Sequence, residues 1–168
     1  DRTADLDDEA LTSDRLVALF DWLRGNGWTA VSLDDIDRAR RGEKRLPPKA
    51  ILITFDDGYV SLYERIYPLV LAYRMPIVVA LVGEWFGAPV GSRVRYGDAL
   101  VPRERFITSR QAREMQDSGL VEFGLHSYGL HDDVLGNPQG NRMPAVTTRA
   151  YRPGQGYESE DAYAARLR

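Results

Sequence analysis

The apolar positions of this chain switch between helical and strand-like spacing. Leu16, Val17, Phe20 and Leu23 recur at helical intervals after Thr12 and Ser13, either of which can cap a helix running through Arg24, with Gly25 and Gly27 ending it. Thr29 to Leu33 then reads as a short strand, and Asp34 as the cap of a second helix running toward Gly42. Pro47 and Pro48 introduce an apolar strand that ends at Asp56. Tyr63, Ile66, Tyr67, Val70 and Tyr73 mark a helix over 61–73, kinked near Pro68 because proline lacks the backbone donor and crowds the preceding turn. Ile77 to Val82 is continuously apolar, as in a strand covered on both faces of a parallel sheet. Thr108 and Gln111 form a capping box for a helix to Ser118 that Gly119 closes, and Leu120 to Leu125 is a further strand.

This alternation is the signature of βα units, so the fold class is α/β, with about four strands in view. Two stretches interrupt it. Residues 83–105 hold Trp85, Phe86 and Tyr96 among several Gly and Pro residues, the composition of a long loop near the strand ends, where Trp85 and Tyr96 either stack on a ligand or fold back over the core. The segment after His131 is rich in Gly, Pro, Asn and Arg until Tyr157, and a helical pattern then restarts over Glu158 to Arg168. That pattern is still running at the last residue, which leads us to expect more protein beyond a single domain spanning 1–168.

The 168 residues, 43% of them hydrophobic, are enough for one globular domain with a real core. A net charge of −3, with Lys and Arg scattered rather than striped, gives no electrostatic footprint for nucleic acid. Cysteine is absent, which excludes disulfides and leaves the redox compartment open. Neither a signal peptide nor a transmembrane stretch is visible, and the chain opens at Asp1 in an acidic, flexible-looking stretch.

Candidate chemistry sits at two strand ends. Asp56 and Asp57 follow the apolar run directly and lead into Gly58. Adjacent side chains of a strand point to opposite faces, so both carboxylates serve one site only if the backbone turns there, as glycine permits. Asp-Asp-Gly also suits a plain turn in which Asp56 caps the following helix. Phosphatases that use two aspartates space them two apart, unlike this adjacent pair. The chain's two histidines, His126 and His131, lie just beyond the second strand. A separation of five places side chains roughly 140° apart on a helix, so they converge only from a loop, for which Gly129 is the natural hinge. Two imidazoles with a carboxylate suit zinc, cobalt, nickel or iron, whereas calcium or magnesium would want more oxygens. Ser127 tethers that loop rather than reacting, since no spare base activates it.

Thr54-Phe55-Asp56-Asp57-Gly58 and His126-Ser127 through His131 resemble the first two motifs of the polysaccharide deacetylases, carbohydrate esterase family four. One additional residue between the histidines narrows the match. Together with Phe20-Asp21-Trp22-Leu23, Asn26-Gly27-Trp28, 31–36 and 137–141, it resembles the PgaB-type poly-β-1,6-N-acetylglucosamine deacetylases of that family. The resemblance implies a distorted, incomplete-looking (β/α) barrel, since a closed barrel needs roughly seven or eight strands. It implies Asp56 as general base and Asp57, His126 and His131 as ligands of a divalent transition metal; Tyr59 and Tyr128, which flank the two motifs, and Trp85 in the long loop are candidate substrate contacts by their position. By the same resemblance the substrate is an N-acetylated exopolysaccharide, with chitin, peptidoglycan or a non-catalytic glycan-binding scaffold as alternatives. A periplasmic, outer-membrane-anchored setting beside the export machinery of a biofilm polymer follows from it too. The family's late motifs, which orient the base and supply a histidine acid, are not identifiable; Tyr151-Arg152-Pro153 matches them in composition only.

Overall fold

The computed structural model describes residues 12–97 and 99–167; the acidic opening stretch at Asp1 and the final Arg168 lie outside them. Helix α1 (Ser13–Gly25) is capped by the Thr12 hydroxyl, which accepts the Arg15 N–H, and it buries Leu16, Phe20 and Leu23. Strand β1 (Thr29–Ala30) is shorter than its sequence pattern, because Leu33 already opens α2 (Leu33–Arg40). The cap of α2 is Ser32, in a capping box with Asp35, rather than Asp34. The Glu122 carboxylate accepts the Leu33 and Asp34 N–H groups at 2.6 and 3.2 Å, so a distant anion occupies the helix N-terminus that Asp34 was expected to serve.

The strand expected after Pro48 is two, β2 (Ala50–Ile51) paired with β1 and β3 (Thr54–Asp57) in the central sheet. The helix over 61–73 keeps its extent but changes its winding: a π-helical turn (Leu62–Ile66) hands over to α3 (Tyr67–Tyr73), with Pro68 in the first turn. The wider π turn just before Pro68 is where the helix accommodates a residue that lacks the backbone donor and crowds the turn preceding it. Strand β4 (Ile77–Leu81) is buried along nearly its whole length, as its unbroken apolar run foretold.

Residues 83–105 are not an open loop. They form α4 (Gly83–Gly87), an antiparallel hairpin of β5 (Arg93–Tyr96) and β6 (Ala99–Pro102), and one 3₁₀ turn (Arg103–Arg105). Helix α5 (Ser109–Asp117) follows with the Thr108–Gln111 capping box intact, and β7 (Val121–Leu125) completes a parallel sheet ordered β3-β4-β7. The glycine-rich segment after His131 holds two more hairpins, β8 (Asp133–Leu135) with β9 (Arg142–Pro144) and β10 (Tyr151–Arg152) with β11 (Gly156–Tyr157), before α6 (Glu160–Arg166).

Five parallel strands in two sheets are therefore present among the described residues, and they close no barrel. Val70, Ile77, Val79, Ile107, Met115 and Val121 pack α3 and α5 onto one face of the sheet. Each fully buried aliphatic side chain there contributes roughly 1.5–3 kcal/mol. A second cluster, Leu16, Phe20, Leu23 and Met75, docks α1. A third, Val82, Trp85, Val94 and Phe106, lies against the C-terminal ends of the strands and backs the site described next. No helix among the described residues is long and apolar enough to cross a membrane.

Candidate metal centre

Three neighbouring strand ends carry the site. In register, Asp57 pairs with Leu81, and the His126 N–H donates to the Leu81 carbonyl at 2.8 Å, so β3, β4 and β7 deliver Asp57 and His126 to the same rim. The turn begins one residue earlier than the sequence implied: Asp57 itself is left-handed at φ 70°, followed by Gly58 at φ 73°. An aspartate tolerates that conformation better than most residues, and it frees its carboxylate from strict strand alternation. Gly58 has a second, steric reason to be glycine, since a Cβ there would lie 2.3 Å from the Leu81 side chain.

The Asp57 Oδ1 atom is buried and without a hydrogen-bond partner among the described residues. Nε2 of His131 lies 3.2 Å from it and Nε2 of His126 3.8 Å. Donors bound about 2.0–2.1 Å from one tetrahedral ion sit about 3.3 Å apart, so these spacings suit a shared cation, and the one-carboxylate, two-imidazole set suits a borderline transition metal. Burial raises the Asp57 carboxyl above its ordinary range, the two histidines pull it down, and the Asp56 charge pushes it up. That last influence shows the adjacent carboxylates within electrostatic reach of each other. Asp56 itself is exposed.

The histidine loop turns at Ser127, φ 62°, and not at Gly129. The Ser127 hydroxyl accepts the Leu130 N–H at 3.2 Å, the tethering role expected of it. Carbonyls of Ser127 and Tyr128 accept the Gly83 and Glu84 N–H groups at 3.1 and 2.7 Å, so the first amides of α4 pin the loop. Gly83 and Gly129 are close-approach positions: a Cβ would meet the Tyr128 ring at 2.7 Å in one case and the Glu84 carboxylate at 3.0 Å in the other.

An aromatic cage fixes His131. Trp85 meets its ring edge-on at 4.9 Å and Tyr96 stacks at 5.9 Å. At 2% exposure Trp85 has no face left for a sugar, which corrects its assignment as a substrate contact: it covers the core and supports the His131 ring. Tyr59 stacks on Phe106 and contacts Tyr96, and burial followed by the Tyr96 hydrogen bond raises its phenol above the ordinary value. Tyr128 is 71% exposed at the rim, open to a ligand. Arg103, only 5% exposed, ties this cage together by donating to the Phe86, Phe106 and Ile107 carbonyls, each at 2.9 Å, while its burial lowers its pKa. Neither Arg103 nor the cage is legible in the sequence, because nothing local marks an arginine as buried.

The histidines open onto a cleft of about 520 Å³ lined also by Tyr96, Leu125, Leu130, Pro144 and Val146, with Ser127, Asp132 and Asp133 supplying polar edges. The family profile for polysaccharide deacetylases matches residues 43–152. A poly-β-1,6-N-acetyl-D-glucosamine N-deacetylase of Escherichia coli K12 is 42% identical over 165 residues, covering 96% of this chain and 25% of the relative. This chain therefore spans about a quarter of that protein's length. The deacetylase domain of BpsB from Bordetella bronchiseptica superposes with a TM-score of 0.84 at 45% identity over 99% of this chain and 61% of that one. A de-N-acetylase from Aggregatibacter actinomycetemcomitans gives a TM-score of 0.92 at 38% identity over 98% and 63%. The α/β fold described above is thus the incomplete-looking barrel of these deacetylase domains, and the chain belongs to the polysaccharide deacetylase family.

Proposed function

We propose that this chain carries the catalytic half-site of a metal-dependent N-deacetylase acting on a poly-β-1,6-N-acetylglucosamine exopolysaccharide. The observation that supports this most is the orphaned, buried Asp57 Oδ1 within 3.2 and 3.8 Å of Nε2 of His131 and His126, the two histidines that line the cleft. Asp57, His126 and His131 would hold a divalent transition ion such as zinc, nickel, cobalt or iron. When bound, such an ion supplies a water ionised near neutral pH and polarises the acetamide carbonyl.

In this reading Asp56 is the general base. It is exposed, within electrostatic reach of Asp57, adjacent in sequence to a ligand yet not needed as one, and such a carboxylate can take a proton from the attacking water. Tyr128 orients the sugar from the rim, and Tyr59, locked in the aromatic cluster, supports the ligand side. Both histidines are engaged as ligands and the chain has no third, so neither protonates the leaving amine. Residues 1–168 act as one deacetylase domain, placed in the periplasm where an exported polymer passes.

Asp56 also separates catalysis from a scaffold that merely binds metal and glycan, since such a scaffold has no use for an uncoordinated acid. Acetate release from N-acetylglucosamine oligomers, with and without chelator, tests the proposal. Chelator-sensitive release that Asp56→Asn abolishes is expected; undiminished release by Asp56→Asn would sink the base assignment, and release indifferent to chelator would sink the metal.

A further inference from the structure

The cleft has two sides built by different devices. His131 is held by the Trp85–Tyr96 cage, whereas the part of the cleft lining at Pro144 and Val146 runs from the last residue of β9 into a turn with no regular structure of its own. Its backbone carbonyls are instead claimed by α6. Arg166 donates to the Ala145 carbonyl at 2.6 Å and the Thr148 carbonyl at 2.9 Å, and the Tyr163 hydroxyl donates to the Val146 carbonyl at 2.7 Å. Arg166 is itself fixed by a forked pair with Glu158, at 2.9 and 3.3 Å, and the 9%-exposed Glu158 also accepts the Ala150 N–H at 3.1 Å. A planar guanidinium that spans two carbonyls and a carboxylate has few ways to rearrange.

We infer that Arg166, oriented by Glu158, is a positioning residue that sets the substrate wall of the cleft and so governs how tightly a polymeric glycan is held, independently of the metal ligands. This rests on the deacetylase proposal for the identity of the ligand. Ala145 extends the connection inward, since its N–H donates to the carbonyl of Asp132, the residue after His131, while its own carbonyl receives Arg166. The wall is therefore braced between the histidine loop and α6. Apolar Pro144 and Val146 line the same cleft as the two histidines, and a wall released from α6 would shift relative to them while the caged His131 stays in place.

The test compares binding of a β-1,6-linked N-acetylglucosamine pentamer with binding of zinc in the unaltered protein, Arg166→Met and Tyr163→Phe. Tyr163→Phe keeps shape and removes one hydrogen bond, so it reports even if Arg166→Met folds poorly. Loss of one such bond corresponds to roughly 2- to 10-fold; we expect pentamer affinity to fall within that range in Tyr163→Phe and by at least the upper end of it in Arg166→Met. Zinc affinity stays within about twofold in both, as the ligand set is untouched. Pentamer affinity unchanged in both variants, no pentamer binding by the unaltered protein, or a parallel loss of zinc would overturn the inference. Acetate release by the unaltered protein reads the deacetylase proposal separately: its absence beside the expected affinity losses refutes catalysis and leaves the wall assignment standing.

Discussion

Gly58→Ala probes the point where fold and site meet. Two costs arise there and they are separable. At φ 73° any L side chain adopts the left-handed region, at roughly 1–2 kcal/mol. A Cβ would also lie 2.3 Å from the Leu81 side chain, which is 9% exposed and packed in the main core cluster, so it has little room to move away; overpacking of this kind costs about 1–3 kcal/mol. The sum is roughly 2–5 kcal/mol, a large part of the ~5–15 kcal/mol that holds a typical domain. Gly119→Ala supplies the control, because Gly119 has φ 70° but a Cβ there would meet nothing within 4 Å. Urea unfolding of the two variants should show Gly119→Ala losing only the backbone share and Gly58→Ala losing about 1–3 kcal/mol more. Zinc binding should weaken in Gly58→Ala alone, since both Asp57 and the His126 N–H take their register from Leu81. Equal stabilities for the two variants would refute the steric argument.

Two further outcomes follow from buried charge. Arg103→Met leaves three carbonyls without their donor, at about 1–3 kcal/mol for each that stays dry, and Arg103→Lys should not rescue it because one ammonium lacks the planar fork that reaches all three; urea midpoints near wild type for either variant would contradict this. For Glu158, the Arg166 guanidinium and then the Ala150 N–H hold the carboxyl down at about 2, against an ordinary value of about 4.3. A depressed carboxyl contributes stability that is full above the unfolded value and is lost as pH falls through the folded one, so the stability gap between wild type and Glu158→Gln should be widest near neutrality and shrink between about 4.3 and 2. A gap that stays constant across that window would show the pair to be inert.

What is legible in the sequence is whatever a short window determines. The unbroken apolar run of β4, the Thr108–Gln111 box and the placement of Asp56 and Asp57 at the end of one strand, with His126 and His131 just past another, all depend on neighbours a few residues away. Ser32 with Asp35 is equally readable as a capping box, and Asp34 takes the cap position only if the preceding strand runs on to Leu33, three residues beyond its actual end. Other features depend on partners far along the chain. Ser127 rather than Gly129 takes the left-handed turn because the α4 amides pin the loop from residues 83 and 84, and Gly129 is needed instead for its closeness to Glu84. The hairpin within residues 83–105 hides behind glycines and arginines, and Trp85 turns inward because Val94 and Phe106 offer it a pocket. Arg166 and Glu158 give no local sign that they meet the cleft wall.

The central claim is that Asp57, His126 and His131 form a metal site from which Asp56 stands apart. Zinc titration by calorimetry of the wild type, Asp57→Asn and Asp56→Asn tests it most directly. One ion per chain for the wild type and Asp56→Asn, with binding lost in Asp57→Asn, is the expected result; wild-type affinity in Asp57→Asn, or its loss in Asp56→Asn, would contradict the account.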